Sequence, residues 1–256
     1  YKQKDVHPEA MYLYGHGDGG GGVTHEMLEL IAREEKGLPG LPRVRKGTAR
    51  GFFERAAEAG KKLPTWQGEL YLETHRGTYT SVARNKRFNR KAELLYRDAE
   101  LWSAVAAQTA GAPYPAGELR QGWEKILLNQ FHDIIPGSSV PEVYRDSDAD
   151  YEFIFDVGEK VRTSALRHLT GRIRTQGPGR PVVAFNSLCW RRTDVVKVKR
   201  IAARDVKVVD EEGNELPGQC ITTDEGTELW FVATLPPMGY RTFWLVPDAG
   251  QAGRTD

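Results

Sequence analysis

The sequence predicts a multidomain α+β protein. A mixed α/β segment covers residues 1–80, an antiparallel three-helix bundle 81–176, and an antiparallel, sandwich-like β region 177–256. Three observations carry that prediction. Helical periodicity with little proline fills the middle of the chain. Residues 181–248 then switch to short runs of β-branched and aromatic side chains. Between the two, TQGPGRP (175–181) has the composition of a hinge.

The bulk composition excludes several classes. With 36 Lys and Arg against 35 Asp and Glu, the net charge of +1 implies no general attraction to nucleic acid or to an anionic membrane. No apolar run approaches the ~20 residues that span a bilayer. Cys189 and Cys220 are too few for a disulfide framework and read as two buried or half-buried thiols on strands. The chain starts with Tyr1 rather than Met, and YKQKDVHPEAMYLY resembles no signal peptide, so it reads as a piece of a longer protein. Few cysteines and the lack of any Asn-x-Ser/Thr sequence favour the cytosol.

Taken in order, AMYLY (10–14) reads as a strand. Thr24 can cap a helix over HEMLELIAREE, with Glu26 placed to complement its dipole. GLPGLPRV is a break, TARGFFERAAEAGKK a second helix, and GELYLETH alternates as a strand. From Ser81, about thirty residues run without proline, and Leu94, Leu95, Leu101, Trp102, Val105 and Ala106 recur at helical steps. Gly111, Pro113 and Pro115 stop that helix. AGELRQGWEKILLNQFHD forms the next, carrying Gln130, His132 and Asp133 at its end, and a third extends from Pro141 to about Arg174. Beyond the hinge, PVVAFNS, DVVKVKR, DVKVVD, ELWFVATL and YRTFWLV read as strands.

Three stretches could carry chemistry. The first is GHGDGGGG (15–22), with six glycines around one carboxylate, Asp18. Gly15-x-Gly17-x-x-Gly20 formally matches a dinucleotide fingerprint. An anion cradle, however, wants no carboxylate inside it, and the acidic strand end that should follow ~20 residues on is absent. A P-loop fails as well, for want of Gly-Lys-Ser/Thr. Glycines flanking Asp18 instead suit close approach of a bulky neutral ligand such as a sugar, with Asp18 as a general acid. A plain Gly/Asp surface turn is the structural alternative.

The second stretch, LPTWQGELYLETHRGTYTS (63–81), gathers Trp66, Glu69, Tyr71, Glu73, His75, Arg76 and Tyr79. Aromatic faces with interleaved polar forks serve sugar recognition. A strand and turn with Tyr71 in the core and Arg76 paired to an acid explains them equally well. The third, LLNQFHDIIPGSS (127–139), presents His132 and Asp133. A lone His near a helix C-terminus is ordinarily a dipole partner, and as a metal ligand it would need two or three further donors.

All three stretches occur together, in this order, in a known family. The strings YGHGDGGGGVTHEMLE, LPTWQGELYLETHRGTYTSVARNKRFNRKAELLYRDAE and WEKILLNQFHDIIPGSSVPEVYRD closely resemble the glycoside hydrolase family 38 α-mannosidases, from residue 12 to about 150. The resemblance implies a retaining exo-α-mannosidase with one divalent metal, normally Zn²⁺, acting on mannose-containing oligosaccharides. It implies that residues 1–80 are the last part, or remnant, of a catalytic α/β barrel. His132 matches the metal-ligand histidine of the helical region, and Asp133 a residue that bonds sugar hydroxyls. Asp18 becomes the candidate acid/base, while His16, Arg76 and Tyr79 become candidate substrate-binding residues.

The family's early His-x-Asp metal pair and its nucleophilic Asp have no counterpart here. His16-Gly17-Asp18 is a His-x-Asp only in form. The segment alone is therefore expected to hold zinc poorly and to be inactive. Assembly of the whole enzyme as a homo-oligomer fits the same resemblance. The rival class is a non-catalytic carbohydrate-binding or assembly module.

Overall fold

The computed structural model describes residues 4–17, 20–60, 63–70, 72–201 and 206–247. Backbone contacts divide the chain into two units, residues 1–71 and 72–256. Among the described residues, no helix is long and apolar enough to cross a membrane.

In the first unit, α1 (His25–Glu34) and α2 (Ala49–Glu58) each start at a threonine. Thr24 Oγ1 accepts the Met27 N–H at 3.3 Å, and Thr48 Oγ1 accepts that of Gly51 at 3.1 Å. Each bond satisfies one of the donors that a helix start leaves open. Neither helix buries a residue. The Glu9 carboxylate accepts from both Arg55 and Arg45, and the Arg55 bond leads in holding it below the usual carboxylate range. His7 is buried edge-on to Phe52, ring centres 5.6 Å apart.

Two expected strands do not form. Residues 10–14 are irregular, with Tyr12 and Leu13 largely exposed. GELYLETH turns at Gly68, whose φ of 142° lies outside the strand region, and then winds into a 3₁₀ helix over Glu73–Tyr79. Alternating apolar letters specify a strand only where a neighbouring strand takes up the backbone bonds. Among the described residues none lies beside either stretch.

The second unit contains α3 (Ala83–Ala110), α4 (Ala116–Asn129) and α5 (Pro141–Thr170). The buried face of α3 follows Asn85, Asn89, Ala92, Tyr96, Ala99, Ser103 and Ala106, a strict alternation of steps of four and three. α4 contributes Leu119, Gly122, Ile126 and Asn129, and α5 a matching row from Tyr144 to Leu169. Such spacing keeps one seam facing its partners along a long helix. Asn85 bonds Ser147 and Tyr96 bonds Ile154, so α3 and α5 run in the same direction. Gln130 bonds Asn89 while Gly122 faces Tyr96, so α4 runs opposite to both.

Tyr96 is the centre of this packing. Its ring is fully buried, and its hydroxyl donates to Ile154 O at 3.0 Å. A Cβ on Gly122 would stand 1.9 Å from that hydroxyl, and one on Gly158 would stand 2.8 Å from the ring. Burial pushes the phenol up to about 12.

Two helix ends differ from expectation. α4 stops at Asn129, short of Asp133, because the Gln130 N–H is shared between the carbonyls of Ile126 and Leu127 and tightens the last turn. His132 and Asp133 therefore sit in turns rather than on the helix. α5 stops at Thr170 rather than Arg174, closing through i→i+3 bonds to Arg172 and Ile173.

Two antiparallel sheets follow. One has the order β1-β7-β3-β4, with β1 (Arg180–Asn186), β3 (Val206–Val209), β4 (Glu215–Leu216) and β7 (Gly239–Pro247). The other is β2-β6-β5, with β2 (Arg192–Val198), β5 (Gly218–Thr223) and β6 (Gly226–Leu235). Their inner faces share one core, in which Val208, Phe243 and Leu245 meet Leu229, Phe231, Ala233 and Leu235. Phe231 and Phe243 meet edge-to-face at 5.2 Å. Helices and sheet join where Trp102 meets Phe185 at 5.3 Å and Arg97 donates to Ser187 O at 2.9 Å.

Neither cysteine is in a disulfide. Cys220 lies half-buried on β5, while Cys189 is exposed in the β1–β2 connection rather than on a strand.

Asp210 shapes the β3–β4 turn. It is nearly buried, which on its own raises a carboxyl's pKa, but its oxygens accept the N–H groups of Glu212 at 3.1 Å and Asn214 at 2.8 Å. Those bonds prevail and hold Asp210 below the usual carboxylate range.

Two outcomes follow from this packing. Gly122→Ala should lower unfolding stability by about 3 kcal/mol, the upper range for overpacking a core, as measured by urea titration. Asp210→Asn should lower the melting temperature at neutral pH. Because the native pKa is depressed, the Asp210 contribution is present above the unfolded carboxyl pKa and fades as pH falls through the native one. The melting difference between wild type and variant should therefore shrink on acidification below about pH 4. A gap unchanged to pH 2 contradicts the assignment.

Candidate functional site

The sequence-marked residues fall in separate places. His16 lies in the first unit and Asp18 lies outside the described residues. Arg76, Tyr79, His132 and Asp133 all lie in the second.

Around the glycine loop, His16 N–H donates to Gly22 O at 2.7 Å and Gly21 N–H donates to His16 O at 3.3 Å. These two bonds close the loop at its base. Gly17 and Gly22 take φ of 63° and 78°, values that favour glycine, and a Cβ on either would meet open space. The His16 side chain is exposed.

In the second unit the site is built where two segments touch. The 3₁₀ helix Glu73–Tyr79 carries Arg76 and Tyr79, both exposed. Arg76 lies 2.6 Å from the Glu73 carboxylate, the acid pairing that the structural alternative expected. Tyr71 lies outside the described residues. Residues 130–140 form the second segment, folded by Ile134 and Ile135 N–H bonds to Phe131 O. His132 is exposed, its ring 4.2 Å from that of Phe131. Asp133 is exposed too, with Ser138 Oγ 3.4 Å from its Oδ1 and Ser139 Oγ donating to its carbonyl at 2.6 Å.

Three contacts hold these segments. Gly137, at φ 89°, packs so closely on Ser81 that a Cβ would lie 2.6 Å from Ser81 Cβ and 2.7 Å from its carbonyl oxygen. Lys86 Nζ donates to Ser81 O at 2.5 Å and to Ile135 O at 2.7 Å. Burial of that ammonium lowers its pKa from the ordinary lysine value. From beneath, the buried Tyr144 hydroxyl accepts the Ser139 N–H at 3.1 Å and lies 3.2 Å from Ile134 O. A shallow hollow of about 630 Å³ opens here, lined by Val82, Arg84, Gly137, Ser139 and Tyr144 among others.

A polar layer inside the helices anchors the end of α4. Asn85 donates to Ser147 at 2.7 Å, Ser147 to Asn129 at 2.5 Å, and Asn129 to Asp150 at 3.1 Å. Lys125 closes the chain on Asp150. Gln130 donates to both Asn89 and Glu93 at 3.0 Å. Sequence reasoning passed over Lys86, Asn85, Asn129 and Ser147. The available signal was Asn at buried seam positions, where an unpaired amide would be costly and a network is therefore implied.

Among the described residues, no three His, Cys, Asp or Glu side chains group so as to hold a metal ion. His132 and the adjacent Asp133 fall short of the donor set that zinc takes, so the described residues alone do not fit a zinc centre.

The fold has counterparts among solved structures. It aligns with a family 38 protein from Enterococcus faecalis at a TM-score of 0.58 and 22% identity, covering 92% of this chain and 32% of that one. An α-mannosidase from E. faecalis V583 aligns equally well, over 91% of this chain. Residues 1–69 match the glycosyl hydrolases family 38 N-terminal domain, and residues 73–169 match the α-mannosidase middle domain. The chain belongs to glycoside hydrolase family 38. It is 38% identical over 191 residues to human α-mannosidase 2C1, covering 74% of this chain. To the α-mannosidase of Saccharomyces cerevisiae it is 39% identical over 210 residues, covering 76%. It spans only 18% and 19% of those relatives' lengths.

The Gly137–Ser81 contact is open to test. Gly137→Ala combines a left-handed φ with a backbone collision and should cost about 1–3 kcal/mol in thermal unfolding. Ser81→Gly removes only the Cβ part of the collision, so the double variant should recover part of the loss and no more. Full recovery would show that the carbonyl contact is not tight.

Proposed function

We propose that this chain is part of an α-mannosidase that removes terminal α-linked mannose from glycans by a retaining, metal-dependent mechanism. The observation that carries the reading is the succession of a family 38 N-terminal match and an α-mannosidase middle match along one chain. Relatives named α-mannosidase at 38% and 39% identity support it. In this reading residues 1–80 belong to the catalytic α/β barrel, residues 81–176 to a three-helix bundle, and residues 177–256 to the start of a β-sandwich.

Retaining glycoside hydrolysis takes two carboxyl groups, one as nucleophile and one as acid/base. Asp18 is assigned the second role, giving its proton to the leaving glycosidic oxygen and later taking one from water. The nucleophile is assigned to no residue of this chain. His132 is one donor to the divalent metal, Zn²⁺, whose other donors come from elsewhere in the whole enzyme. Asp133 accepts from sugar hydroxyls, and His16, Arg76 and Tyr79 line the pocket. The ligands are mannose-containing oligosaccharides rather than nucleic acid or membrane. A cytosolic, homo-oligomeric enzyme fits the same reading.

The 256-residue chain by itself should neither hold zinc tightly nor turn over substrate. The test is release of p-nitrophenol from its α-D-mannoside. A longer protein that joins this chain to the rest of a family 38 N-terminal domain should be active, and Asp18→Asn in it should reduce kcat by about 10²–10⁴-fold. Metal-dependent turnover by the chain alone would overturn the division of labour. An inactive longer protein would overturn the function.

A further inference from the structure

Lys86 stands between the two segments that carry the candidate site, on the first turn of α3. That helix starts abruptly. Its N-cap Val82 is left-handed, at φ 49°, and makes no side-chain capping bond. Ser81, just before it, directs its carbonyl at the Lys86 ammonium 2.5 Å away. The same ammonium reaches Ile135 O at 2.7 Å, across a sequence separation of 49 residues. Ile135 O belongs to the peptide that leads into Pro136, and Gly137 presses on Ser81 immediately beyond. One charged group thus ties the backbone five residues from Arg76 and two from Tyr79 to the backbone three residues from His132 and two from Asp133.

An ammonium suits that task. It offers three donors in a compact head, and bonds from a charged donor to carbonyls are stronger than neutral ones. The Lys86 head is partly buried, which keeps water from competing for the two carbonyls. An isostere without donors would leave both carbonyls short of a partner while filling the same space.

We propose that Lys86 is a positioning residue: its ammonium sets the spacing between the 73–82 segment and the 130–140 segment, and so the placement of Arg76 and Tyr79 relative to His132 and Asp133 around a bound mannoside. The clamp itself stands on the geometry. Its service to catalysis rests on the α-mannosidase reading.

Two measurements separate the parts. In the isotope-labelled 256-residue chain, Lys86→Met should move the amide resonances of Ser81, Ile135 and Gly137 and the imidazole resonances of His132. Those of Ala92, Ala99 and Ile154 in the helix core should stay in place. Lys86→Arg, which can still donate to both carbonyls, should move the same resonances less. If the Met variant fails to fold, the Arg variant alone decides. Shifts in both segments support the clamp, and shifts confined to residues 81–86 overturn it.

In the longer, mannosidase-competent protein, Lys86→Met should lower kcat/KM for p-nitrophenyl α-D-mannoside by about tenfold, the scale of a small misplacement of binding groups, and Lys86→Arg should restore most of it. Unchanged kinetics in an active parent overturn the positioning role. An inactive parent together with coupled shifts in the chain defeats the α-mannosidase reading and leaves the clamp standing.

Discussion

The helical half of this protein depends on how closely Tyr96 approaches two glycines. With Gly122 on α4 and Gly158 on α5 both lacking a Cβ, the ring fits between the helices and its hydroxyl reaches the Ile154 carbonyl. Interiors are packed too densely to absorb a displacement of that size locally. The position of α4 against α3 is therefore set at this level, two turns before the helix ends. What α4 delivers at its end, the turn with His132 and Asp133, inherits that position.

Below the site the seam changes character. Ala92, Tyr96, Ala99 and Ala106 pack by shape, whereas Asn85, Asn89, Asn129 and Ser147 occupy equivalent positions and pack by hydrogen bonds. Amides buried without partners would cost the layer its stability; here Asn85, Ser147, Asn129 and Asp150 form one chain of bonds and Asn89 pairs with Gln130 and Glu93, which leaves Asn85 Oδ1 as the unpaired atom among these amides. An apolar seam tolerates sliding by small amounts. A chain of directional bonds does not, because each displaced partner leaves a buried polar group exposed to nothing. The polar layer thus fixes the helix ends at the level where the two candidate segments leave the helices.

Much of this organisation was legible in the sequence, and the failures share a cause. The helices, their threonine caps and the switch to β structure are local properties, and the chain displays them locally. The α3 seam was legible in part: Leu95, Trp102 and Ala106 of the apolar letters are buried, but Leu94 is half exposed, and the seam positions filled by Asn85, Asn89 and Ser103 carry no apolar letter. β5 (GQCITT) shows no apolar run, since β6 beside it supplies what makes it a strand. AMYLY and GELYLETH failed in the opposite sense, with strand-like letters and no neighbour among the described residues. The strings around His132 and Asp133 were recognisable as motifs. The elements that hold them, Lys86 and the Gly137–Ser81 contact, join positions some fifty residues apart and leave no local trace.

Exposure and rigidity are combined at the site in a particular way. His132, Asp133, Arg76 and Tyr79 all present their side chains to solvent, which on its own would describe an ordinary surface. Their backbone is not that of an ordinary surface. It is held by a buried tyrosine hydroxyl, a shared ammonium and a glycine contact that excludes even a methyl group. In the proposed α-mannosidase site, side chains that recognise a ligand must be reachable, yet their geometry must be set before the ligand arrives, because ordering a loop on binding subtracts from affinity. Pinning the backbone while leaving the side chains open meets both demands.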